Sequence, residues 1–410
     1  MSELFRLPAR RSAAYRQLVS RRPVTGDIPD QVSGILGAVR DGGDRALLDL
    51  TERYDGVRLT TSLVPKEAWQ VALDRLDLRV REALTEAIRR IQAVHRAQQF
   101  HEELISVAPG VQVWREWRAF SRVGLYAPGG RTVYPSSVLM MAIPARIAGC
   151  EEIVLCSPPQ RDGHIAPAIL AAAALSGVTE VHAMGGAQAI AALAYGTESI
   201  RRVDKIVGPG NAYVTAAKLQ VVGEVAIDMP AGPSEVVVIS DGSANPRWLA
   251  ADLRAQAEHS PDAIAVLLTT SPADVAVLED IPEGQVRGFQ CETIADAIAF
   301  ANDFAPEHLT LACRDARRWL AQVMAAGSVF VGPYTPPAAG DYATGANHVL
   351  PSGGAARSFG ALGVSDFGRA IQVQSVDADG IEGIAAVTDV LAQLEALPWH
   401  ARSMRLRSES

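Results

Sequence analysis

Apolar and polar residues follow two different patterns along the chain, and the pattern changes near residue 120. Residues 28–56 and 80–104 carry apolar side chains at helical spacing with charges on the opposite face, which predicts amphipathic helices. Beyond that point, short apolar runs such as 151–159 alternate with Ala-rich stretches such as 165–178. Strands that alternate with helices are typical of a parallel sheet covered by helices.

The alternation starts again after residues 225–241, which predicts two α/β domains in sequence, joined near residues 228–235. We therefore predict an α/β fold with two Rossmann-like parallel-sheet domains, an N-terminal helical arm and a C-terminal helical tail. The predicted units are a helical region over 1–119 that packs partly on the second domain, domains over 120–235 and 236–375, and a tail over 376–410.

The composition is that of a globular protein with an ample core, because 48% of the 410 residues are hydrophobic and 20% are charged. The net charge of −8, without a sustained basic stripe outside the ends, argues against nucleic acid as a partner. No apolar run approaches the roughly 20 residues that a membrane helix needs, so we expect no membrane contact.

The cysteines are scattered and form no C-x-x-C pair, which is typical of reduced, buried thiols in a cytoplasmic protein. They are Cys150, Cys156, Cys291 and Cys313. The Arg-rich start, residues 1–23, lacks the apolar core of a secretory signal. We expect it to be an exposed arm, available to pack on a partner subunit.

An acid and an imidazole stand side by side at Glu307 and His308, between a helical pattern over 293–305 and an apolar run over 308–313. Pro306 should end the helix. Burial of either polar side chain is costly unless it is paired. The pair is either a capped helix end, with a solvated Glu and a hydrogen-bonded His, or a catalytic site. Both side chains can reach one pocket only if a turn follows Pro306.

Two glycine-rich turns follow predicted strands, one within residues 123–137 and the other, GPGNAY, at 208–213. Such turns let backbone amides approach an anion closely. Neither contains the G-x-G-x-x-G dinucleotide fingerprint. By motif alone, ordinary tight turns are therefore the simpler interpretation.

Two further pairs of polar residues are candidates for a metal or substrate site. Gln256 and His259 stand three residues apart on a predicted helix and are either metal ligands or plain helix surface. Asp341 and His348 lie in the long polar, Gly-rich segment 332–354, which is either a functional loop or a surface connection.

The C-terminal tail carries Glu395 and His400 beside Trp399. Terminal segments are usually frayed, but an exposed Trp at a terminus is unusual and indicates that the tail docks. The docked tail is either part of a site or a dimer contact without chemistry.

Together and in this order, these stretches resemble the histidinol dehydrogenase family, from about residue 30 to residue 407. The stretches that carry the resemblance are SRVGLYAPGG, IPARIAGCEEIVLCSPP, GGAQAIAALAYGT, DKIVGPGNAYV, DMPAGPSEV, AQAEHSPDA, FAPEHL, GDYATGANHVLPSGG and HARSMRLR. The resemblance implies oxidation of L-histidinol to L-histidine via L-histidinaldehyde, the last step of histidine biosynthesis. It also implies an aldehyde-dehydrogenase-like fold with one zinc ion per subunit, and with NAD on the first domain.

The resemblance assigns roles residue by residue. It implies that zinc is bound by Gln256, His259, Asp341 and His400. It implies that protons are handled by Glu307 and His308. The substrate would be held by Ser234, His348 and Glu395, and would also contact the zinc ligands and His308. NAD would contact Tyr126, Gln188 and Asn211. The family is a homodimer whose C-terminal tail reaches the partner's active site.

The residue types suit the implied chemistry. Zinc held by two imidazoles, an amide and a carboxylate leaves room for the amino alcohol, which it would orient. Oxidation of an alcohol to an acid needs two hydride transfers, hence two NAD molecules per product. The neutral imidazole of His308 suits the removal of the hydroxyl proton, and Glu307 suits the activation of water for the second oxidation.

Two other functions remain open at this point. A related zinc- and NAD-dependent enzyme of the same family could act on another amino alcohol or a sulfonated diol, and only the substrate-holding positions would distinguish it. A catalytically silent metal-binding or interaction protein is the other alternative. Such a protein would not need Glu307, His308 and the cofactor contacts together.

Overall fold

The computed structural model describes residues 4–20, 27–129, 132–279, 281 and 286–408. Its helices are α1 (Ala13–Val19), α2 (Ile28–Asp55), α3 (Lys66–Asp74), α4 (Leu78–Arg96), α5 (Pro135–Ala148), α6 (Pro167–Ser176), α7 (Gly186–Tyr195), α8 (Ala212–Gln220), α9 (Pro246–Ala257), α10 (Ala276–Glu279), α11 (Ile294–Phe304), α12 (Pro337–Tyr342), α13 (Ala378–Leu394) and α14 (Pro398–Ser408). Its strands are β1 (Leu4–Arg6), β2 (Ile105–Ala108), β3 (Val111–Ala119), β4 (Arg122–Tyr126), β5 (Glu152–Ser157), β6 (Glu180–Ala183), β7 (Lys205–Val207), β8 (Ala226–Ile227), β9 (Glu235–Ser240), β10 (Ile264–Thr269), β11 (Val286–Gln290), β12 (His308–Ala312), β13 (Ser328–Val331) and β14 (Gly368–Val376).

The first domain is built on a parallel sheet with the strand order β6-β5-β4-β7-β8. Its central strands are continuous apolar runs because both of their faces are covered. Helices α3 to α6 pack on one face, and α2, α7 and α8 pack on the other. The predicted strand–helix alternation is confirmed for this domain.

The second domain contains a parallel sheet with the strand order β1-β11-β10-β9-β12-β13. Helices α9 and α10 cover one face, and α1 and α11 cover the other. Without β1, the strands of this sheet lie side by side in the order third, second, first, fourth and fifth along the chain. The first sheet has the same order. The predicted α/β fold with two parallel-sheet domains is therefore confirmed.

The described part of the N-terminal arm is docked on its own chain. Strand β1 extends the second sheet beside β11, and α1 packs against α11. Tyr15 is buried, and its hydroxyl donates a hydrogen bond to Asp303, which also binds Arg10. Within residues 4–20 only Tyr15 is buried, where it packs edge-on against Phe300, and most of the other residues are exposed as expected. The remaining arm residues, 1–3 and 21–23, lie outside the described ranges.

A third, antiparallel sheet has the strand order β14-β3-β2 and is followed by α13 and α14. The helical character predicted for 1–119 is wrong for residues 105–119, which form β2 and β3. The sequence of β3, VQVWREWRA, mixes apolar with polar and charged residues, as is typical of a half-buried strand. Across the described part of the chain, no helix combines the length and apolarity that a membrane crossing requires.

Candidate active site

The Glu307–His308 pair lies where α11 gives way to β12. Helix α11 ends at Phe304, and Ala305 takes a left-handed conformation with φ of 54°. Pro306 and Glu307 then form the turn, and β12 begins at His308, opposite Val236 and Ser328. The predicted helix stop is confirmed. The predicted turn holds Glu307 but not His308, which is the first residue of the strand.

The backbone of Glu235, at the start of β9, holds both members of the pair. The Glu235 N–H group donates to Glu307 Oε2 over 2.9 Å, and its carbonyl oxygen lies 3.2 Å from His308 Nδ1. A carbonyl oxygen can only accept, so Nδ1 carries a proton, and Nε2 is the nitrogen that lacks one whenever the ring is neutral. Parallel pairing of β9 with β12 therefore fixes the tautomer.

His308 Nε2 is buried and makes no hydrogen bond to any described residue. It lies 3.7 Å from Asp341 Oδ1, which is close enough for an ion pair but too long for a hydrogen bond. Asp341 reaches this position because Gly340 lets α12 approach Phe330, where a Cβ would lie 2.6 Å from the ring. A buried polar atom without a partner needs an explanation, and ligand binding is one.

The pKa values at the pair respond to burial and to each other. Burial raises the pKa of Glu307 above its ordinary value. Burial alone would lower the pKa of His308, but the adjacent Glu307 and then Asp341 outweigh it and raise the pKa. Burial would raise the pKa of Asp341, yet His308 lowers it below the ordinary value. Glu307 is therefore a better base than an exposed Glu.

Two of the predicted metal ligands lie at the C-terminal end of α9. Gln256 is only 4% exposed, and its Nε2 has no hydrogen-bond partner among the described residues. His259 follows two residues after the helix ends at Ala257, so the two side chains do not share a regular helix face as predicted. His259 Nδ1 lies 2.9 Å from the Ala255 carbonyl oxygen, which leaves Nε2 available as a ligand.

Asp341, the third predicted ligand, lies on α12, which packs against α9. The segment 332–354 was expected to be loop throughout, so this short helix is a difference from the prediction. In the described ranges, no group of three or more His, Cys, Asp and Glu side chains is arranged to hold a metal. A metal site here would have to use the amide of Gln256 and at least one ligand from elsewhere.

His348 joins the two domains at the site. Its Nδ1 lies 2.9 Å from the Asp341 carbonyl oxygen, and its Nε2 lies 3.2 Å from the hydroxyl of Ser137 at the start of α5. Burial lowers the pKa of His348, so the ring is neutral at pH 7. Ser234 directly precedes Glu235, and its carbonyl oxygen accepts a hydrogen bond from Ile264. Two of the three predicted substrate-holding residues, Ser234 and His348, thus border the Glu307–His308 pair or Asp341.

The predicted cofactor residues gather at the carboxyl edge of the first sheet. Tyr126 ends β4, and its hydroxyl accepts a hydrogen bond from the Gly186 N–H group. Asn211 caps α8 by accepting from the N–H groups of Tyr213 and Val214. The space between the ends of β4 and β7 is the position where open α/β sheets bind ligands. Gly130 and Arg131 of the other glycine-rich turn lie outside the described ranges.

Gln188, the remaining cofactor candidate, lies in α7 and is buried. Its Nε2 lies 3.4 Å from Asp55 Oδ2 at the end of α2. Burial also raises the pKa of Tyr126 to about 12, so its phenol keeps its proton. Asp55 was not singled out from the sequence, since nothing local distinguishes it from the other charges of an amphipathic helix.

The structure does not bring Glu395 and His400 to the other candidates within one chain. Glu395 caps α13, His400 lies in α14, and these two helices pack on each other. Both side chains are exposed. Leu394 and Trp399 are 81% and 79% exposed. The predicted site residues therefore lie on the two domains and on a tail whose apolar surface is exposed.

The two parallel sheets and the buried Glu–His pair define an α/β protein with a candidate site for proton transfer. The family model named Histidinol dehydrogenase matches residues 20–408. The chain belongs to the histidinol dehydrogenase family, whose members are oxidoreductases. The resemblance seen in the sequence is confirmed.

Curated relatives match over nearly their whole length. The histidinol dehydrogenase of Xanthomonas axonopodis pv. citri is 46% identical over 396 residues, which cover 92% of each chain. That of Methanothermobacter thermautotrophicus is 43% identical over 409 residues, covering 95% of this chain and 96% of its own. The crystal structure of histidinol dehydrogenase from Elizabethkingia anophelis superposes with a TM-score of 0.94 at 37% identity, covering 99% and 98% of the two chains.

Proposed function

We propose that the protein is a zinc- and NAD-dependent enzyme that oxidises L-histidinol through L-histidinaldehyde to L-histidine, the last step of histidine biosynthesis. The observation that carries the proposal is the buried His308 Nε2, which lacks a hydrogen-bond partner among the described residues and lies 3.7 Å from Asp341. With its Nδ1 proton held by Glu235, the ring is ready to take a proton from a hydroxyl group. Membership in the histidinol dehydrogenase family supports the choice of substrate.

The donor set fits one zinc ion per subunit. Gln256 would offer an amide oxygen, His259 an imidazole nitrogen and Asp341 a carboxylate oxygen, which are ligand types that zinc accepts. The unpartnered amide end of buried Gln256 supports this fit. The fourth ligand would be His400 of the partner subunit. When bound, the zinc would orient the amino alcohol and polarise its hydroxyl group.

His308 and Glu307 divide the proton transfers. In the first oxidation, His308 Nε2 would remove the hydroxyl proton, and bound NAD would supply the hydride acceptor. In the second oxidation, Glu307 takes a proton from the water that adds to the aldehyde. Its raised pKa, which results from burial, makes it suited to that task. Glu307 Oε2 and His308 Nδ1 are 3.8 Å apart, so the two residues lie side by side at one site.

The remaining polar residues of the site hold the substrate and the cofactor. Ser234, the neutral ring of His348 and Glu395 of the partner subunit would bind the amine and the imidazole of L-histidinol. Tyr126, Gln188 and Asn211 would hold NAD at the carboxyl edge of the first sheet. Two NAD molecules are consumed per product because the reaction removes four electrons.

A second copy of the chain would complete the site. The apolar side chains that the tail leaves exposed support this part of the proposal. They are Val387, Val390, Leu391, Leu394, Leu397, Trp399 and Leu406. An exposed apolar surface of this kind next to two site residues indicates a homodimer in which each tail docks on the partner. The four free, buried thiols support a cytoplasmic location.

The function is tested by counting products. Purified, zinc-loaded protein is mixed with L-histidinol and excess NAD, and NADH formed per histidinol consumed is measured. About two NADH, lost with a chelator and regained with zinc, are expected for the four-electron reaction. About one would contradict the role of Glu307, since the reaction would stop at the aldehyde. No turnover by zinc-containing protein would favour another amino alcohol or a sulfonated diol as the substrate.

The shared site is tested by subunit mixing. A His400→Ala chain and a Glu307→Ala/His308→Ala chain are each expected to be inactive. Mixed heterodimers keep one intact site and should regain activity, whereas a mixture that exchanges subunits without recovery would contradict a shared site. Native mass spectrometry of differently tagged chains verifies the exchange.

A further inference from the structure

Lys218 is the largest side chain in the described core with almost no exposure, although it carries a charge. It lies in the last turns of α8 and forms an ion pair with Asp228, which follows β8. The side chains are 2% and 1% exposed, so water does not stabilise either charge. A buried ion pair is not a strong source of stability by itself. The other contacts of Lys218 and Asp228 are therefore needed to explain the role of this ion pair.

Both charges bind the same residue, Gly208. Lys218 Nζ donates a hydrogen bond to the Gly208 carbonyl oxygen over 2.9 Å. The Gly208 N–H group donates to Asp228 Oδ2 over 2.7 Å. Charge-assisted hydrogen bonds of this kind are stronger than neutral ones. The two peptide groups that flank Gly208 are thus both held by the ion pair.

Gly208 begins the turn that leads to Asn211, and it lies against the end of β4. Its φ of 129° favours glycine, and a Cβ there would lie 2.2 Å from the Tyr126 carbonyl oxygen. The turn therefore fits between Tyr126 and the ion pair without room for a side chain. Any loss of the ion pair would let the turn move away from Tyr126.

We propose that Lys218 and Asp228 are positioning residues that hold the Gly208–Asn211 turn in its NAD-binding conformation. The inference rests on the proposed function, in which Tyr126 and Asn211 contact NAD. Neither charge touches the cofactor; both act through the backbone of Gly208. A preorganised turn binds its ligand without the cost of ordering the chain at that moment.

The test measures NAD affinity of zinc-loaded Lys218→Met and Asp228→Asn by isothermal titration calorimetry, beside KM for NAD and kcat. Loss of one charge-assisted hydrogen bond should raise the Kd for NAD about tenfold. The KM for histidinol and the kcat at saturating NAD should stay unchanged, because the proton-handling pair lies elsewhere. A purely structural role would lower the melting temperature but leave the Kd for NAD unchanged.

Glu180→Gln is the matched control. Glu180 pairs with buried Arg122 at the opposite edge of the same sheet. Its loss should lower the urea midpoint as the Lys218 and Asp228 changes do, with NAD affinity retained. If a single variant does not fold, the Lys218→Met/Asp228→Asn protein replaces it, since that variant leaves no unpaired buried charge. It should be the more stable protein yet still bind NAD weakly.

The outcomes separate the inference from the proposed function. If Asn211→Ala binds NAD as wild type does, the proposed cofactor site is wrong. If Asn211→Ala weakens NAD binding while folded Lys218 and Asp228 variants do not, the positioning role is overturned. Equal weakening in Glu180→Gln would also overturn it, because general destabilisation would then explain the effect.

Discussion

The two parallel sheets share one strand order but present opposite edges to the candidate site. In the first sheet, Tyr126 is the last residue of β4, and Asn211 lies in the turn that follows β7. In the second, Ser234 and Glu307 precede the amino ends of β9 and β12, and His308 is the first residue of β12. The same topology therefore supports two kinds of site, and strand order alone does not say which edge is used.

The carboxyl edge of the second sheet is filled by its own loops. Asp241, which follows β9, accepts hydrogen bonds from the N–H groups of Arg314 and Ser243. Strand β9 corresponds to β4 of the first sheet, and β12, which Arg314 follows, corresponds to β7. A hydrogen bond thus joins the loops after β9 and β12, at the position that corresponds to the candidate cofactor residues of the first sheet.

The amino edges differ in whether their charges are paired. At the first sheet, Arg122 binds Glu152 and Glu180 and donates to the Arg201 carbonyl oxygen. At the second sheet, His308 Nε2 has no hydrogen-bond partner within the described ranges. Buried polar groups with all partners present stabilise a structure, whereas an unpaired one in a cluster of titratable groups indicates a functional site.

Removal of the unpaired imidazole should have the largest effect. We expect His308→Ala to lower kcat for histidinol oxidation by about 100- to 10,000-fold, the range for loss of a general base. Thr310→Val is the control, because Thr310 lies on the same face of β12 and its buried hydroxyl also lacks a hydrogen-bond partner among described residues. Stopped-flow rates that fall equally in both variants would contradict a special role for His308.

A change at the amino edge of the first sheet, where the charges are paired, should lower stability and leave activity unchanged. Arg122→Met removes a buried cation, leaves Glu180 without its guanidinium partner and leaves Glu152 with the exposed Arg201 alone, so we expect the free energy of unfolding to fall by about 3 kcal/mol. Urea denaturation measures this loss. The turnover of the folded fraction should match wild type, and a large loss of kcat with unchanged stability would show that the edge has a catalytic part.

Glu307→Gln should separate the two half-reactions. We expect about a tenfold or greater loss in the oxidation of histidinaldehyde and a smaller loss in the oxidation of histidinol, because only the former needs an activated water. Single-turnover kinetics from each starting compound measure the two rates. Equal losses would argue against the division of the proton transfers.

Glu307→Gln should also shift the pH dependence of kcat for histidinol oxidation. Glu307 raises the pKa of His308, so the wild-type rate falls as the pH drops through that raised value and the ring gains a proton. Without the carboxylate charge, the pKa of His308 should decrease. The acid limb of kcat for histidinol oxidation should then shift to lower pH, and a shift to higher pH would contradict the assignment of His308 as the base.

The smallest effect concerns Asp55, beside Gln188. Burial raises the pKa of this carboxyl from its ordinary value of 3.8 to about 6 in the folded protein. The folded state therefore loses stability as the pH rises from 4 to 6, since the unfolded chain releases this proton first. Asp55→Asn should raise the melting temperature at pH 8 and leave it unchanged at pH 4. Calorimetry at both values checks this.

The alternation of apolar runs and helices was enough to predict both sheets, and Pro306 was enough to predict the end of α11. The tautomer of His308 could not be predicted, because it depends on the backbone of Glu235, which pairing of β9 and β12 brings across 73 residues. The proximity of Asp55 to Gln188 depends on packing of α2 against α7, over a separation of 133 residues.

The tail shows another limit of the sequence. Trp399 indicated docking, but the intrachain structure leaves it 79% exposed, so its contact is not within this chain's described residues. Lys218 was also not distinguished from an ordinary surface lysine of an Ala-rich helix. Only the fold shows that its side chain turns inward to Gly208.

A crystal structure of the protein with zinc and NAD, with data collected at the zinc absorption edge, tests the use of opposite sheet edges most directly. We predict an anomalous peak about 2.0–2.2 Å from donor atoms of Gln256, His259 and Asp341. We predict NAD between Tyr126 and Asn211 at the carboxyl edge of the first sheet. Zinc at another position, or NAD at the edge occupied by Asp241, would contradict the proposed division between the two sheets.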